Sequence, residues 1–279
     1  IIESDPVWAP VHPEQAAAAV EAGKHVYLAK PVAVDVPGCQ SIAESGTKAS
    51  GKKLVVLVDF QTRNNPFYRE AAKRVHEGGI GRLVCGEARY PCGVMPITAP
   101  KTPEDRLRYW YCNKAISGDY IVEQSIHALD VATWFIDAAP IKVVGTGGSK
   151  GLRPYGDIWD HFNLIYWFPN ETILSFYSCQ MVHGAPHEIA CRIYGSQGTV
   201  DSNYYSHVCI TGPKPWEGGK FNDMFNSGTQ NNINDFYRFV TEGQYANETV
   251  AASVRSNLTA ILGRTAAYQG RTVTWDEMM

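Results

Sequence analysis

LVVLVDF, residues 54–60, is a nearly continuous apolar run broken by one carboxylate, the pattern of a strand covered on both faces. Upstream, HVYLA at 25–29 reads as a second short buried strand. PEQAAAAVEA at 13–22 precedes it and is strong helix material, with proline allowed in the first turn and Gly23 as the stop. QSIAESGTKA at 40–49 predicts another helix, weakened by Gly46. Downstream, residues 66–76 predict a helix ending at Gly78-Gly79. Ile1-Ile2-Glu3-Ser4 reads as the tail of an earlier buried strand. Strands alternating with helices make an open α/β sheet with parallel strands.

Past Gly81 the pattern changes. RLVCGEARY starts a strand, residues 91–103 form a proline-rich crossing, and Tyr120 to Phe135 predicts one helix. FNLIYWF, TILSFYSCQM, HEIACRIYG, GTVDSN and HVCIT follow as strands separated by turn residues. Two helices, 232–241 and 248–267, and a last short strand TVTW complete the chain. Successive strands without intervening helices predict a mostly antiparallel sheet, one face covered by helices and the other free to pair with a second subunit. The expected class is therefore α/β: a partial Rossmann-type parallel sheet in 1–82, followed by an α+β domain with a large, mostly antiparallel sheet in 83–279.

The 279 residues, 44% hydrophobic, can fill two cores more readily than one. A net charge of -3, without a basic run interleaved with aromatics, disfavours nucleic acid as a partner. Seven scattered cysteines never form CxxC, which disfavours structural zinc and a dense disulfide framework. No apolar run has membrane-spanning length. The compartment stays open between cytoplasm and periplasm.

Within GDYIVEQSIHALDVATWF, Glu123 and His127 are four apart and would share a helix face, with Asp130 three further on. A carboxylate beside imidazole sets its tautomer and raises its basicity, which suits removal of a hydroxyl proton. The same arrangement also buttresses cores. The spacing offers no third ligand for a metal, and none is expected.

Lys30 follows the strand HVYLA and precedes Pro31, at the carboxyl end where open parallel sheets bind ligands. Its charge could favour alkoxide character on a substrate oxygen, or simply face solvent. His12 caps a helix or touches cofactor. Asp59 and Arg63 face the crevice or form a salt bridge, and His161, beside Asp160, lines the pocket or sits under the sheet edge. Trp110, Tyr111, Tyr120 and Trp134 could wall a sugar ring or pack a core.

AGKHVYLAKPVAVD resembles the AGKHV(x)xEKPxA segment of the glucose-fructose oxidoreductase, inositol dehydrogenase and MocA family. The similarity continues through VDFQTRNNPFYREAAKRVHEGGIGRLVCGEARY, SGDYIVEQSIHALDVATW and GDIWDHF. It implies a dinucleotide-binding domain, a mixed-sheet substrate domain and assembly as a homodimer or homotetramer. Lys30 resembles the EKP lysine, His127 the pocket histidine, and Glu123 stands where many members have aspartate. The expected contacts to NAD or NADP are His12, Lys30 and Pro31, and those to the substrate are Arg63, Trp110, Tyr111, Asp130 and His161. Ala29 replaces the EKP glutamate, and no GxGxxG precedes the first helix, so the chain reads as starting at the fourth strand of the nucleotide domain.

The leading expectation is NAD(P)-dependent oxidation of a secondary hydroxyl on a sugar, cyclitol or glycoside, with Lys30, His127 and Glu123 as the catalytic group. One alternative is an NAD-dependent glycosidase or lyase that oxidises transiently and eliminates, holding its cofactor tightly. Another is a sugar-binding protein without catalysis, which Ala29 and the missing fingerprint favour and the joint presence of Lys30 and His127 opposes.

Overall fold

The computed structural model describes the strand Ile2–Glu3 and residues 8–279. A three-stranded parallel sheet, ordered β1-β2-β3, comprises β1 (Ile2–Glu3), β2 (Val26–Ala29) and β3 (Val56–Asp59). Ile1 and Ser4 of the predicted strand tail lie outside the described residues. Helix α1 (His12–Glu21) connects β1 to β2, and α2 (Val36–Gly51) connects β2 to β3. The α2 helix starts before the predicted position because Asp35 caps it, accepting the amide N–H of Gly38 at 2.8 Å. Gly46 is a contact point in this helix: a Cβ there would lie 2.7 Å from Val250, so its absence lets α2 and the helix bearing Val250 approach.

The outer edge of β3 is closed by side chains. Val56 N–H donates to Asn247 Oδ1 at 2.9 Å and Val58 N–H to Thr249 Oγ1 at 3.2 Å. Both faces of the strand are covered as well, Val55 and Leu57 by Phe236 and Val56 and Val58 by the main core, which accounts for its apolar run. Helix α3 (Pro66–His76) leads out of this unit, capped by Asn65.

The second sheet has nine strands: β4 (Leu83–Pro91), β5 (Lys142–Gly148), β6 (His161–Trp167), β7 (Ile173–Cys179), β8 (Ala190–Gly195), β9 (Gly198–Asn203), β10 (His207–Thr211), β11 (Trp216–Lys220) and β12 (Val273–Thr274). Their order is β11-β10-β9-β8-β4-β7-β6-β5-β12. Only the central β4 and β7 pair in parallel. The sequence reading omitted β5 and β11, whose KVVGTGG and WEGGK carry too much glycine for a strand signature. Short helices α4 (Pro103–Arg108), α5 (Lys114–Ser117) and α6 (Tyr120–Glu123) lead into α7 (Ile126–Ile136); α8 (Met224–Glu242), α9 (Glu248–Gln269) and α10 (Trp275–Met278) lie near the carboxyl end.

Alternation decides which sheet face is covered. Phe162, Leu164, Tyr166, Leu174 and Phe176 are buried towards the helices, whereas Asn163, Ile165, Ile173, Ser175 and Tyr177 project from the opposite, helix-free face. One continuous core joins Val26, Leu28 and Phe60 to Leu164, Phe176 and Ile193, because α9 packs against both sheets. Among the described residues no helix is long and apolar enough to cross a membrane.

Tyr120 to Phe135 is two helices, a correction to the single predicted one. Ser125 N–H reaches back to Tyr120 O at 3.1 Å, and His127 N–H bonds Gln124 O at 3.2 Å, which breaks the regular ladder between α6 and α7.

Candidate active site

The turn after β2 is fixed from two helices. Lys30 is followed by a cis peptide to Pro31. Buried His12, at the start of α1, donates from Nδ1 to Pro31 O at 2.8 Å. Buried Asn257 of α9 accepts Val32 N–H at 3.0 Å and donates to Ala33 O at 2.9 Å, and Arg264 donates to Val34 O at 3.0 Å. Leaving any of these buried groups unpaired would cost about 1–3 kcal/mol, so Lys30 projects from a turn with little freedom.

Lys30 Nζ donates to Glu123 Oε1 at 2.8 Å and to Glu123 O at 2.5 Å. The helix break makes the second bond available: His127 N–H uses Gln124 O, leaving the Glu123 carbonyl outside the helical ladder. Glu123 therefore faces Lys30, and no hydrogen bond joins it to His127.

His127 lies in the first turn of α7, its side chain buried between Phe60 and Tyr204, at ring-centroid distances of 5.9 and 5.8 Å. Among the described residues its imidazole makes no side-chain hydrogen bond. Burial, reinforced by the Lys30 charge, holds its pKa well below the ordinary 6.5, so the ring is neutral near pH 7. Tyr111 and Tyr90 come within reach of the Glu123 charge. Burial pushes the Tyr111 phenol up to about 12, with Cys112, Tyr109 and Glu123 contributing, and Tyr90 is raised by the same main cause. Trp110 packs edge-on against Tyr111, with ring centroids 6.1 Å apart. Lys30, Glu123 and His127 thus converge, with His12 and Pro31 immediately behind the lysine, while Tyr111 packs with Ile97, Cys112 and Met181.

The other predicted residues go elsewhere. Arg63 and Asp130 take each other: Nη2 and Nε donate to the carboxylate at 2.8 and 3.0 Å, Ser256 Oγ adds a bond at 2.6 Å, and Trp134 lies under the guanidinium at 4.6 Å. Arg63 and Trp134 border a cavity of about 710 Å³, beside Arg69, Asn247 and Phe239, that Lys30 does not line. Asp59 accepts a hydrogen bond from Asn232. His161 follows the strand alternation onto the helix-free face, its Nδ1 2.6 Å from Asp160 Oδ1. Tyr120 is a core residue whose hydroxyl donates to Tyr90 O and Cys179 O, both at 3.0 Å. No group of three or more His, Cys, Asp or Glu side chains among the described residues could hold a metal ion. Sequence reading missed Asn257, Arg264 and Tyr204, which lie far along the chain from the groups they hold and carry no local motif.

Residues 68–201 match the family described as GFO/IDH/MocA C-terminal domain. The chain is 28% identical over 196 residues to inositol 2-dehydrogenase 3 of Saccharopolyspora erythraea, covering 69% of this chain and 52% of that protein. It is 26% identical over 216 residues to levoglucosan dehydrogenase of Pseudarthrobacter phenanthrenivorans, covering 70% and 53%. The chain spans about half the length of these curated relatives. Its fold superposes on an oxidoreductase domain protein from Kribbella flavida with TM-score 0.80 at 20% identity, covering 95% of this chain and 78% of the other. A levoglucosan dehydrogenase in complex with NADH and levoglucosan gives TM-score 0.74 at 21% identity, covering 96% and 78%. The residue 68–201 match, the two-sheet fold and these relatives together make the chain similar to the GFO/IDH/MocA-type oxidoreductases.

Proposed function

We propose that this chain carries the catalytic residues of an NAD(P)-dependent oxidoreductase acting on a secondary hydroxyl of a sugar, cyclitol or glycoside. The observation that carries the reading is the convergence of Lys30, Glu123 and His127 at the carboxyl end of the parallel sheet. The residues present suit the nicotinamide end of a dinucleotide: a lysine fixed in its turn and a neutral imidazole. His12, Lys30 and Pro31 would hold that end. When bound, the nicotinamide supplies the hydride acceptor or donor that no side chain can provide.

The protein's own groups divide the remaining work. Lys30 presents a localised charge to the substrate oxygen and stabilises developing alkoxide. Glu123 keeps Lys30 oriented before substrate enters and offers an acceptor for a neighbouring hydroxyl. His127, neutral near pH 7, takes the hydroxyl proton in oxidation and returns it in reduction. Tyr111, with Trp110 behind it, provides an amphipathic wall for a sugar ring. We further propose a homodimer or homotetramer that covers the helix-free face, where Ile165, Ile173, Tyr177 and Tyr194 are exposed.

Full-length protein supplied with NAD or NADP should reduce the cofactor when given myo-inositol, levoglucosan or a related polyol, followed by absorbance. A His127→Ala variant should lose about 10²–10⁴-fold in turnover with cofactor affinity nearly unchanged. Equal turnover in that variant would remove His127 from the mechanism. Glycoside cleavage without accumulation of reduced cofactor would replace net oxidation by the elimination route.

A further inference from the structure

We propose that Tyr204 is a positioning residue, a strut from the β9–β10 turn that fixes the His127 ring at the Lys30 site. The inference rests on the reading of His127 as the proton-exchanging group. An imidazole that works as a base is ordinarily oriented by a carboxylate or carbonyl on its second nitrogen. Here both nearby carboxylates are occupied, Glu123 by Lys30 and Asp130 by Arg63. What remains around the ring is aromatic: Phe60 on one side at an interplanar angle of 84° and Tyr204 on another at 61°.

Tyr204 is built to hold still. Its backbone N–H donates to Ile189 O at 2.8 Å, and its hydroxyl donates to Gln61 Oε1 at 3.0 Å. Tyr205 and Phe225 pack against the ring at centroid distances of 5.4 and 5.2 Å. Gln61 is backed in turn by α8 at Gly228, where a Cβ would lie 2.3 Å from the Gln61 Cβ. The strut therefore runs Gly228, Gln61, Tyr204, His127, and ties the large sheet to the end of β3. Tyr204 is fully buried, so it acts through the histidine and does not touch substrate.

The groups facing His127 are Lys30 from the β2 turn and the Tyr204 phenol from the β9–β10 turn. Glu123, at the end of α6, has its carboxylate on Lys30, and Asp130, one turn along α7, is paired with Arg63. Removing the Tyr204 ring admits water and weakens the desolvation that keeps the imidazole neutral. It also lets the ring rotate away from its working position, where a displacement of about 1 Å can cost on the order of 10²-fold in rate.

The test uses full-length protein with two readouts. The first is the pH titration of the His127 ring carbon resonances by NMR, assigned through His127→Gln; the second is kcat and KM with cofactor and polyol. Tyr204→Leu should move the His127 midpoint up towards the ordinary histidine value. It should also lower kcat about 10–100-fold, with KM changed far less. Tyr204→Phe, which keeps the ring, should restore most of both. If Tyr204→Leu does not fold, Tyr204→Met, which fills the space with a flexible chain in place of the ring, should still move the midpoint. An unmoved midpoint in a folded variant overturns the strut and leaves the functional reading intact. Absence of turnover in the unaltered protein would overturn the functional reading alone, because the titration needs no substrate.

Discussion

Two ion pairs join the parallel-sheet unit to the α6–α7 segment. Lys30–Glu123 leaves 18% and 12% of its side chains accessible, and Arg63–Asp130 leaves 8% and 0%. The Arg63 pair is saturated: a two-pronged carboxylate contact, a serine hydroxyl and an indole underneath. The Lys30 pair uses one carboxylate oxygen and one backbone carbonyl, beside a neutral imidazole. A lysine with hydrogen-bonding capacity to spare, at an accessible sheet end, can exchange partners when substrate arrives. A buried arginine with its carboxylate fully engaged can only hold the elements together. Charge at the end of a parallel strand is therefore insufficient to mark chemistry, and the state of its partner is what separates the two roles.

Stability should break the comparison most sharply. Asp130→Ala strands the Arg63 charge and should cost about 3–5 kcal/mol in urea unfolding, whereas Glu123→Ala, at a part-exposed pair, should cost about 1 kcal/mol or less. Similar losses at the two positions would erase the distinction drawn here.

Turnover should reverse the order. Lys30→Met should lower kcat/KM about 10²–10³-fold, as expected for loss of a charged donor to the reacting oxygen, with little change in the unfolding midpoint. Arg63→Met should act mainly on stability, and any loss of activity should follow the fraction unfolded at the assay temperature.

The contrast sharpens further by replacing the whole buried set. Arg63→Met/Asp130→Leu/Ser256→Ala removes every charge and hydroxyl that the pair requires. It should return to within about 1 kcal/mol of the unaltered protein, because a buried ion pair rarely outweighs its own desolvation. A chemical denaturation curve measures this directly, and persistent loss of several kcal/mol would assign the pair a specific architectural role.

None of this sorting was available in the sequence. Periodicity was enough for the alternating helices and strands up to His76 and for most of the later strands, though not the glycine-rich β5 and β11, since burial on one or both faces writes itself into spacing. Lys30, Glu123 and His127 were legible as residues, from strand-end position and resemblance. Their mutual relation was not: the i,i+4 rule joined Glu123 to His127, but the break at Gln124 and Ser125 turned the carboxylate to Lys30. Arg63 and Asp130 find each other across 67 residues, and Asn257 reaches Val32 across 225. No local pattern encodes such pairings, which depend on how α9 seats against both sheets.

The smallest expected effect concerns pH and isolates His127. Its folded pKa lies below 6.5, so well above pH 6.5 neither the folded nor the unfolded form carries the proton and the full stability is present. As pH falls below 6.5, the unfolded chain takes up a proton that the folded chain refuses. Stability then drops by up to about 1.4 kcal/mol per pH unit from this group, until the folded pKa is reached. His127→Gln removes the contribution, so its unfolding free energy between about pH 7.5 and about pH 5.5 should fall less steeply than that of the unaltered protein. The histidine is held neutral by burial and by Lys30, so Lys30→Met should flatten the slope only in part, whereas Arg63→Met should leave the His127 contribution unchanged. Equal pH slopes with and without His127 would show that the ring titrates normally, and with that the contrast between a working pair beside a neutral base and a purely structural pair would lose its chemical half.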